Sequence, residues 1–144
     1  VPLAAAVQRS LDSAPPPPGA DVFHDVASDL RVIADLGPLE QVVTNLLTNA
    51  YRYGGPTIHI EATKDAAEED ASVLLVVSDD GPGVPDTLRT DLFEPFTRGS
   101  GANDVGGSGI GLALSRRLVE TFGGDLDHDA GAPGARFICR LPAG

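Results

Sequence analysis

Asn45 and Asn49 stand four residues apart in the segment NLLTNAYRYG, and Arg52 and Tyr53 follow them. On a helix such positions lie one above another, so the two amides, the guanidinium and the phenol share one stripe. That stripe suits a ligand rich in oxygen atoms. Amide oxygens can coordinate Mg²⁺, which commonly keeps several waters and takes phosphate oxygens as well. A plain solvated helix face has the same pattern. A second group, Asp79-Asp80-Gly81-Pro82-Gly83, follows VLLVVS, the most apolar run of the chain. A carboxylate at the end of a central strand is placed to accept a hydrogen bond from an amino group, and the adenine N6 amine is such a donor. Glycines let the backbone bend and approach a flat base closely. An ordinary Asp-Gly turn has this composition too.

The third group is Gly106-Gly107-Ser108-Gly109-Ile110-Gly111-Leu112, ahead of an apolar-periodic segment. Glycines bare their N–H groups and a helix N-terminus adds partial positive charge, which together make a phosphate site. The dinucleotide fingerprint G-x-G-x-x-G cannot be read here. The sole lysine, Lys64, is remote from the glycines, so a P-loop is absent, and so is the protein-kinase motif set. Phosphates bound here would be neutralised by Mg²⁺, amides and arginines. Just before this loop lies Leu92-Phe93-Glu94-Pro95-Phe96-Thr97-Arg98. Phe93 and Phe96 can anchor one end of a glycine-rich segment that closes as a lid over 98–108.

The elements that must position these groups follow from periodicity and punctuation. Leu3, Ala6, Val7 and Leu11 predict a short amphipathic helix, and the four prolines 15–18 a stiff loop. Residues 1–19 therefore form an N-terminal helix and Pro-rich loop. Stretches 21–26 and 30–34, separated by a Ser-Asp turn, predict a hairpin. Leu39, Val42, Val43, Leu46, Leu47 and Ala50 recur at helical spacing over 37–53, with Gly-Pro before and Gly-Gly after. Strands are expected at 57–63 and 72–78, a short helix at 86–93, a helix at 109–122, and strands at 125–129 and 136–141. A mixed sheet covered by helices on one face accommodates this order.

The chain as a whole narrows the function. Its 144 residues suit one domain. A formal net charge of −11 argues against binding nucleic acid through a basic face. Part of that acidity is the run DAAEED over 65–70, read as a solvated loop. No apolar run approaches the roughly 18 residues that span a bilayer, so direct membrane contact by this chain is not expected. The single cysteine, Cys139, lies in an apolar run and reads as a buried reduced thiol, which fits a reducing compartment.

Taken in order, the four groups closely resemble the ATP-binding domain of sensor histidine kinases, within the superfamily that includes DNA gyrase, Hsp90 and MutL. NLLTNA resembles the N box, DDGPG the first glycine box, FEPF the F box and GGSGIGL the second glycine box. The resemblance implies a two-layer α/β (α+β) sandwich of Bergerat type, a mixed sheet with helices on one face and a flexible ATP lid, occupying 1–144 as one catalytic domain. It implies ATP and Mg²⁺ as cofactors. By motif position, Asn49 is the expected Mg²⁺ ligand and Asn45 a nearby phosphate or Mg²⁺ contact. Arg52 stands where the family often has a phosphate-binding cation, and Tyr53 beside the nucleotide. Asp79 matches the adenine-reading residue, with Gly81 and Gly83 shaping its pocket. Gly107, Ser108, Gly109, Gly111 and Leu112 match the lid-end turn. Asn45, Arg52 and Arg98 are the expected participants in catalysis, Arg98 toward phosphate or the partner domain.

One departure within the superfamily separates two activities. Hydrolysing members carry a Glu one helical turn before the Mg²⁺-binding Asn, as a base for water. This chain has Asn45 there, and an amide is no useful base; Glu40 lies too far back along the helix. The resemblance thus implies transfer to a histidine rather than to water. The expected acceptor motif, of the form S-H-E-L-R-T-P, is absent, and His24, His59 and His128 read as strand or loop residues. The expected partners are a dimerisation and histidine-phosphotransfer domain, ending about where Val1 begins, and a downstream response regulator. The expected location is the cytoplasmic portion of a membrane-bound sensor. A stand-alone ATPase or ATP-gated interaction module of the same superfamily is the alternative.

Overall fold

The computed structural model describes residues 1–53, 55–65, 71–81, 111–129 and 134–144. The elements, in chain order, are α1 (Leu3–Ser13), β1 (Asp21–Asp25), α2 (Leu36–Tyr53), β2 (Thr57–Asp65), β3 (Ser72–Asp79), α3 (Gly111–Thr121), β4 (Asp125–His128) and β5 (Arg136–Pro142). The strands form one five-stranded sheet ordered β1-β2-β3-β5-β4. Among the described strands only β1 and β2 pair in parallel, and α2 supplies the crossover that parallel pairing requires. The remaining pairings are antiparallel. The expected helix at 86–93 lies outside the described residues.

Burial alternates along the strands, as a sheet with one covered face requires. Ile58, Ile60, Val73, Leu75, Val77, Leu126, Phe137, Cys139 and Leu141 are buried on the covered face. Their neighbours, such as His59, Glu61, Leu74, Val76 and Ile138, are half-buried or exposed. The six apolar positions read from the sequence of α2 are all buried: Leu39, Val42, Val43, Leu46, Leu47 and Ala50. They join the strand residues in one core cluster that runs from Leu3 to Leu141. β3 is the middle strand, in keeping with its unbroken apolar sequence. Cys139 is buried in this core, and desolvation, helped by the Asp125 charge, pushes its thiol up to about 12.

α1 buries Leu3, Ala6, Val7 and Ser10, one face of a helix, against α2. The buried Ser10 hydroxyl is satisfied, 2.9 Å from the Ala6 carbonyl and 3.1 Å from that of Glu40. Glu40 also accepts from Arg9 at 3.2 Å and from the Ser13 hydroxyl at 3.0 Å. At the other end of α2, the Tyr51 hydroxyl donates to the carbonyl of Ala14, where the Pro-rich loop begins.

The predicted hairpin of 21–26 with 30–34 does not form. β1 instead pairs with β2, Asp21 opposite Thr57 through Asp25 opposite Glu61. Residues 30–34 tie the two chain ends together through bridges from Pro2 to Arg31 and from Val32 to Ala143. A turn closed by the Leu30 N–H on the Ala27 carbonyl sends the chain away from β1. Both stretches have strand composition, but their partners are distant in sequence and invisible to a local pattern. Among the described residues, no helix is long and apolar enough to cross a membrane.

Candidate functional site

Among the described residues, several hydrogen bonds of the site meet at the end of β3. Asp79 is the last residue of this central strand and is 8% exposed. Its Oδ1 accepts from the Gly81 N–H at 2.8 Å, the Gly55 N–H at 3.4 Å and the Ala135 N–H at 3.5 Å. Three separate chain segments thus converge on one carboxylate oxygen. Among the described residues, no hydrogen bond reaches Oδ2, and that oxygen is not among the fully buried unpartnered atoms. A carboxylate fixed through one oxygen presents the other in a set direction, ready to accept from an amino group.

Glycine is required on both sides of this strand end. Gly134 has φ +73°, and a Cβ there would collide with the Asp79 carbonyl oxygen. A Cβ on Gly55 would run into the Asp80 carboxylate and the Gly81 backbone. The Thr57 N–H adds a bond to Asp80 Oδ1 at 3.1 Å. These contacts stitch the chain leaving α2 to the end of β3. Gly55, two residues past the end of α2, is thereby held against Asp79.

On α2, Asn45 and Asn49 are half-buried and Arg52 is exposed. The two amides differ. Asn45 Oδ1 accepts from Gln41 Nε2 at 2.8 Å, and its Nδ2 donates to the Ser115 hydroxyl at 3.0 Å. Among the described residues nothing hydrogen-bonds the amide of Asn49. Its oxygen is a neutral, accessible donor atom of the kind Mg²⁺ accepts alongside waters and phosphate oxygens. Tyr53 ends the helix backbone. Gly111 opens α3, and Leu112, half-buried, packs on the core.

Gly83, Arg98, Gly107, Ser108 and Gly109 lie outside the described residues, as do Phe93, Phe96 and the whole 98–108 segment. The described part brings together Asp79 and Gly81 with Gly55, just past the end of α2, and places Asn45 against α3. Sequence reasoning missed Gly55, Gly134 and Ala135 as supports of Asp79, and Gln41 and Ser115 as partners of Asn45. Two signals were available. Gly134 follows a proline just ahead of a strand, and Ser115 interrupts the apolar stripe of Leu112, Val119 and Phe122.

Residues 34–144 match the sequence profile described as histidine kinase-, DNA gyrase B-, and HSP90-like ATPase. The chain belongs to this family. Among curated members it is 36% identical over 117 residues to the signal transduction histidine-protein kinase/phosphatase MprB of Mycolicibacterium paratuberculosis, covering 81% of this chain. It spans only 22% of that protein's length. Among solved structures, the mycobacterial sensor histidine kinase MprB superposes with TM-score 0.77 at 28% identity, over 99% of this chain and 97% of that one. Full-length ShkA in complex with AMPPNP superposes with TM-score 0.77 at 26% identity, over 99% of this chain and 30% of ShkA. The two-layer sandwich with a mixed sheet is therefore the fold of this ATPase family.

Proposed function

We propose that this chain binds Mg-ATP and presents its γ-phosphate to a histidine in a separate dimerisation and phosphoacceptor domain of a sensor histidine kinase. The observation that carries the reading is the carboxylate of Asp79, bonded through Oδ1 by three backbone N–H groups, with no hydrogen bond on Oδ2 among the described residues. Family membership and the likeness to ShkA, solved with AMPPNP, support the nucleotide. All of 1–144 acts as one catalytic domain around the core cluster, with 98–108 as its lid.

In this reading Asn49 holds Mg²⁺, which supplies charge neutralisation across the phosphates when bound. Asn45 and Arg52 serve the phosphate side, with Tyr53 beside the nucleotide. Gly83 completes the adenine turn begun by Gly81. Gly107, Ser108, Gly109, Gly111 and Leu112 form the lid-end turn, and Arg98 meets phosphate or the partner domain. Catalysis is then mainly positioning and electrostatic stabilisation. Hydrolysis would need a base near the phosphates, and the nearest glutamate on α2, Glu40, is committed to Arg9 and Ser13 on α1. That favours transfer over a stand-alone ATPase. The parent would act upstream of a response regulator, with this domain on the cytoplasmic side of the membrane.

Calorimetric titration with ATP tests the first half of the proposal. Saturable binding that strengthens with Mg²⁺ is expected. Absence of binding at millimolar nucleotide would overturn it.

A further inference from the structure

We infer that Ser115 is a positioning residue for the phosphate end of the site: through Asn45 it fixes the spacing between α2 and the start of α3. The inference rests on the Mg-ATP reading above. Ser115 is wholly buried, and its hydroxyl accepts from Asn45 Nδ2 at 3.0 Å. Gln41 holds the other end of the same amide at 2.8 Å. The orientation of the Asn45 side chain is thereby set from both sides, nitrogen toward α3 and oxygen toward the preceding turn of α2.

The position of this bridge gives it a function. Asn49 lies one turn beyond Asn45 along α2, and Gly111 lies one turn before Ser115 along α3. The bond therefore joins the two helices one turn from the residue assigned to Mg²⁺ and one turn from the glycine assigned to the lid-end turn. Apolar packing between α2 and α3 is non-directional and tolerates small sliding. A hydrogen bond between buried or half-buried partners does not, because a lost partner leaves a polar group unsatisfied. Ser115 touches no phosphate in this account. It acts by keeping the Asn49 amide and the N-terminus of α3 at one separation, while the adenine end at Asp79 is held independently by Gly55, Gly81 and Ala135.

That independence provides the test. Mg-ATP and adenosine are titrated by NMR into the wild-type chain, S115A, Q41A, N45A and the N45A/S115A double variant, and melting is recorded for each. S115A is expected to weaken Mg-ATP roughly two- to tenfold, the range of one hydrogen bond, with adenosine affinity unchanged. Q41A, an exposed change that leaves packing intact, is expected to move Mg-ATP in the same direction by less. In the N45A background S115A is expected to add nothing, because the two act through one contact. Equal loss of ATP and adenosine affinity in S115A, or additive effects in the double variant, would show a merely structural serine and overturn the inference. Failure of the wild-type chain to bind either ligand would instead remove the Mg-ATP reading, and this inference with it.

Discussion

The two ends of the site are built differently. At the end of β3, a buried carboxylate is gripped by backbone N–H groups from three chain segments, and two glycines let those segments close on it. Along α2, the groups are side chains on one helix; among the described residues, Asn45 is tied down by Gln41 and Ser115, and nothing hydrogen-bonds the amide of Asn49. In the first region the acceptor is held by backbone N–H groups, whose directions are set by the path of the chain. The second keeps the amide of Asn49 available. The difference fits a site in which a flat base is read by a fixed acceptor while flexible phosphates and a hydrated cation are gathered by adjustable groups.

The largest expected effect comes from the fixed end. D79N keeps the shape but points an amide toward a base whose amine needs an acceptor. Nucleotide affinity should fall roughly a hundredfold, the upper range for a hydrogen bond to a charged group, measured by calorimetry. Unchanged ATP affinity would remove adenine reading from Asp79.

G134A should come next. It forces a Cβ onto a residue with φ +73° and into the Asp79 carbonyl. Destabilisation of about 1–3 kcal/mol is expected in urea unfolding, with weaker binding of adenosine as well as ATP. A variant as stable as wild type would mean that the packing against β3 is looser than described.

The adjustable end should split by residue. N49A removes a side chain that has no hydrogen-bond partner among the described residues, so its melting temperature should hold. Its Mg²⁺-dependent gain in ATP affinity should disappear. N45A should lose about 1 kcal/mol of stability along with its bonds to Gln41 and Ser115. Equal melting of the two variants would erase the distinction between the asparagines.

The smallest effect at neutral pH belongs to Cys139, which lies in the core outside both regions. Its thiol is raised from an ordinary 9.0 to about 12 in the folded chain. Below pH 9 both folded and unfolded chains keep the proton, so stability does not change. Between pH 9 and 12 only the unfolded chain releases it, and stability should fall by about 1.4 kcal/mol per pH unit. Urea unfolding at pH 7 and pH 10 would show it, and C139A should lose that contribution.

Much of this architecture was legible in the sequence, for physical reasons. α2 declared itself because its six core residues recur every three or four positions between Gly-Pro and Gly-Gly. β3 did so because a central strand can be apolar throughout. The hairpin expectation failed because strand composition does not name a partner, and β1 finds Thr57 to Glu61 across the α2 crossover. Asp79 stands out as a candidate from its place after that strand. Its supports do not, since Gly55, Gly134 and Ala135 contribute backbone N–H groups or empty space rather than side-chain chemistry. Motif position makes Asn45 a phosphate or Mg²⁺ contact, and its bond to Ser115, seventy residues away, is a tertiary fact.

The central claim is that this chain hands the γ-phosphate of ATP to a histidine outside itself. The direct test mixes the chain, Mg²⁺ and γ-labelled ATP with the histidine-bearing hairpin of its parent, and repeats the reaction with the intact parent. Label on the hairpin that is stable in base and labile in acid, and lost in D79N, is the predicted result. Release of labelled inorganic phosphate by the chain alone, with no label on a histidine in either setting, would contradict it.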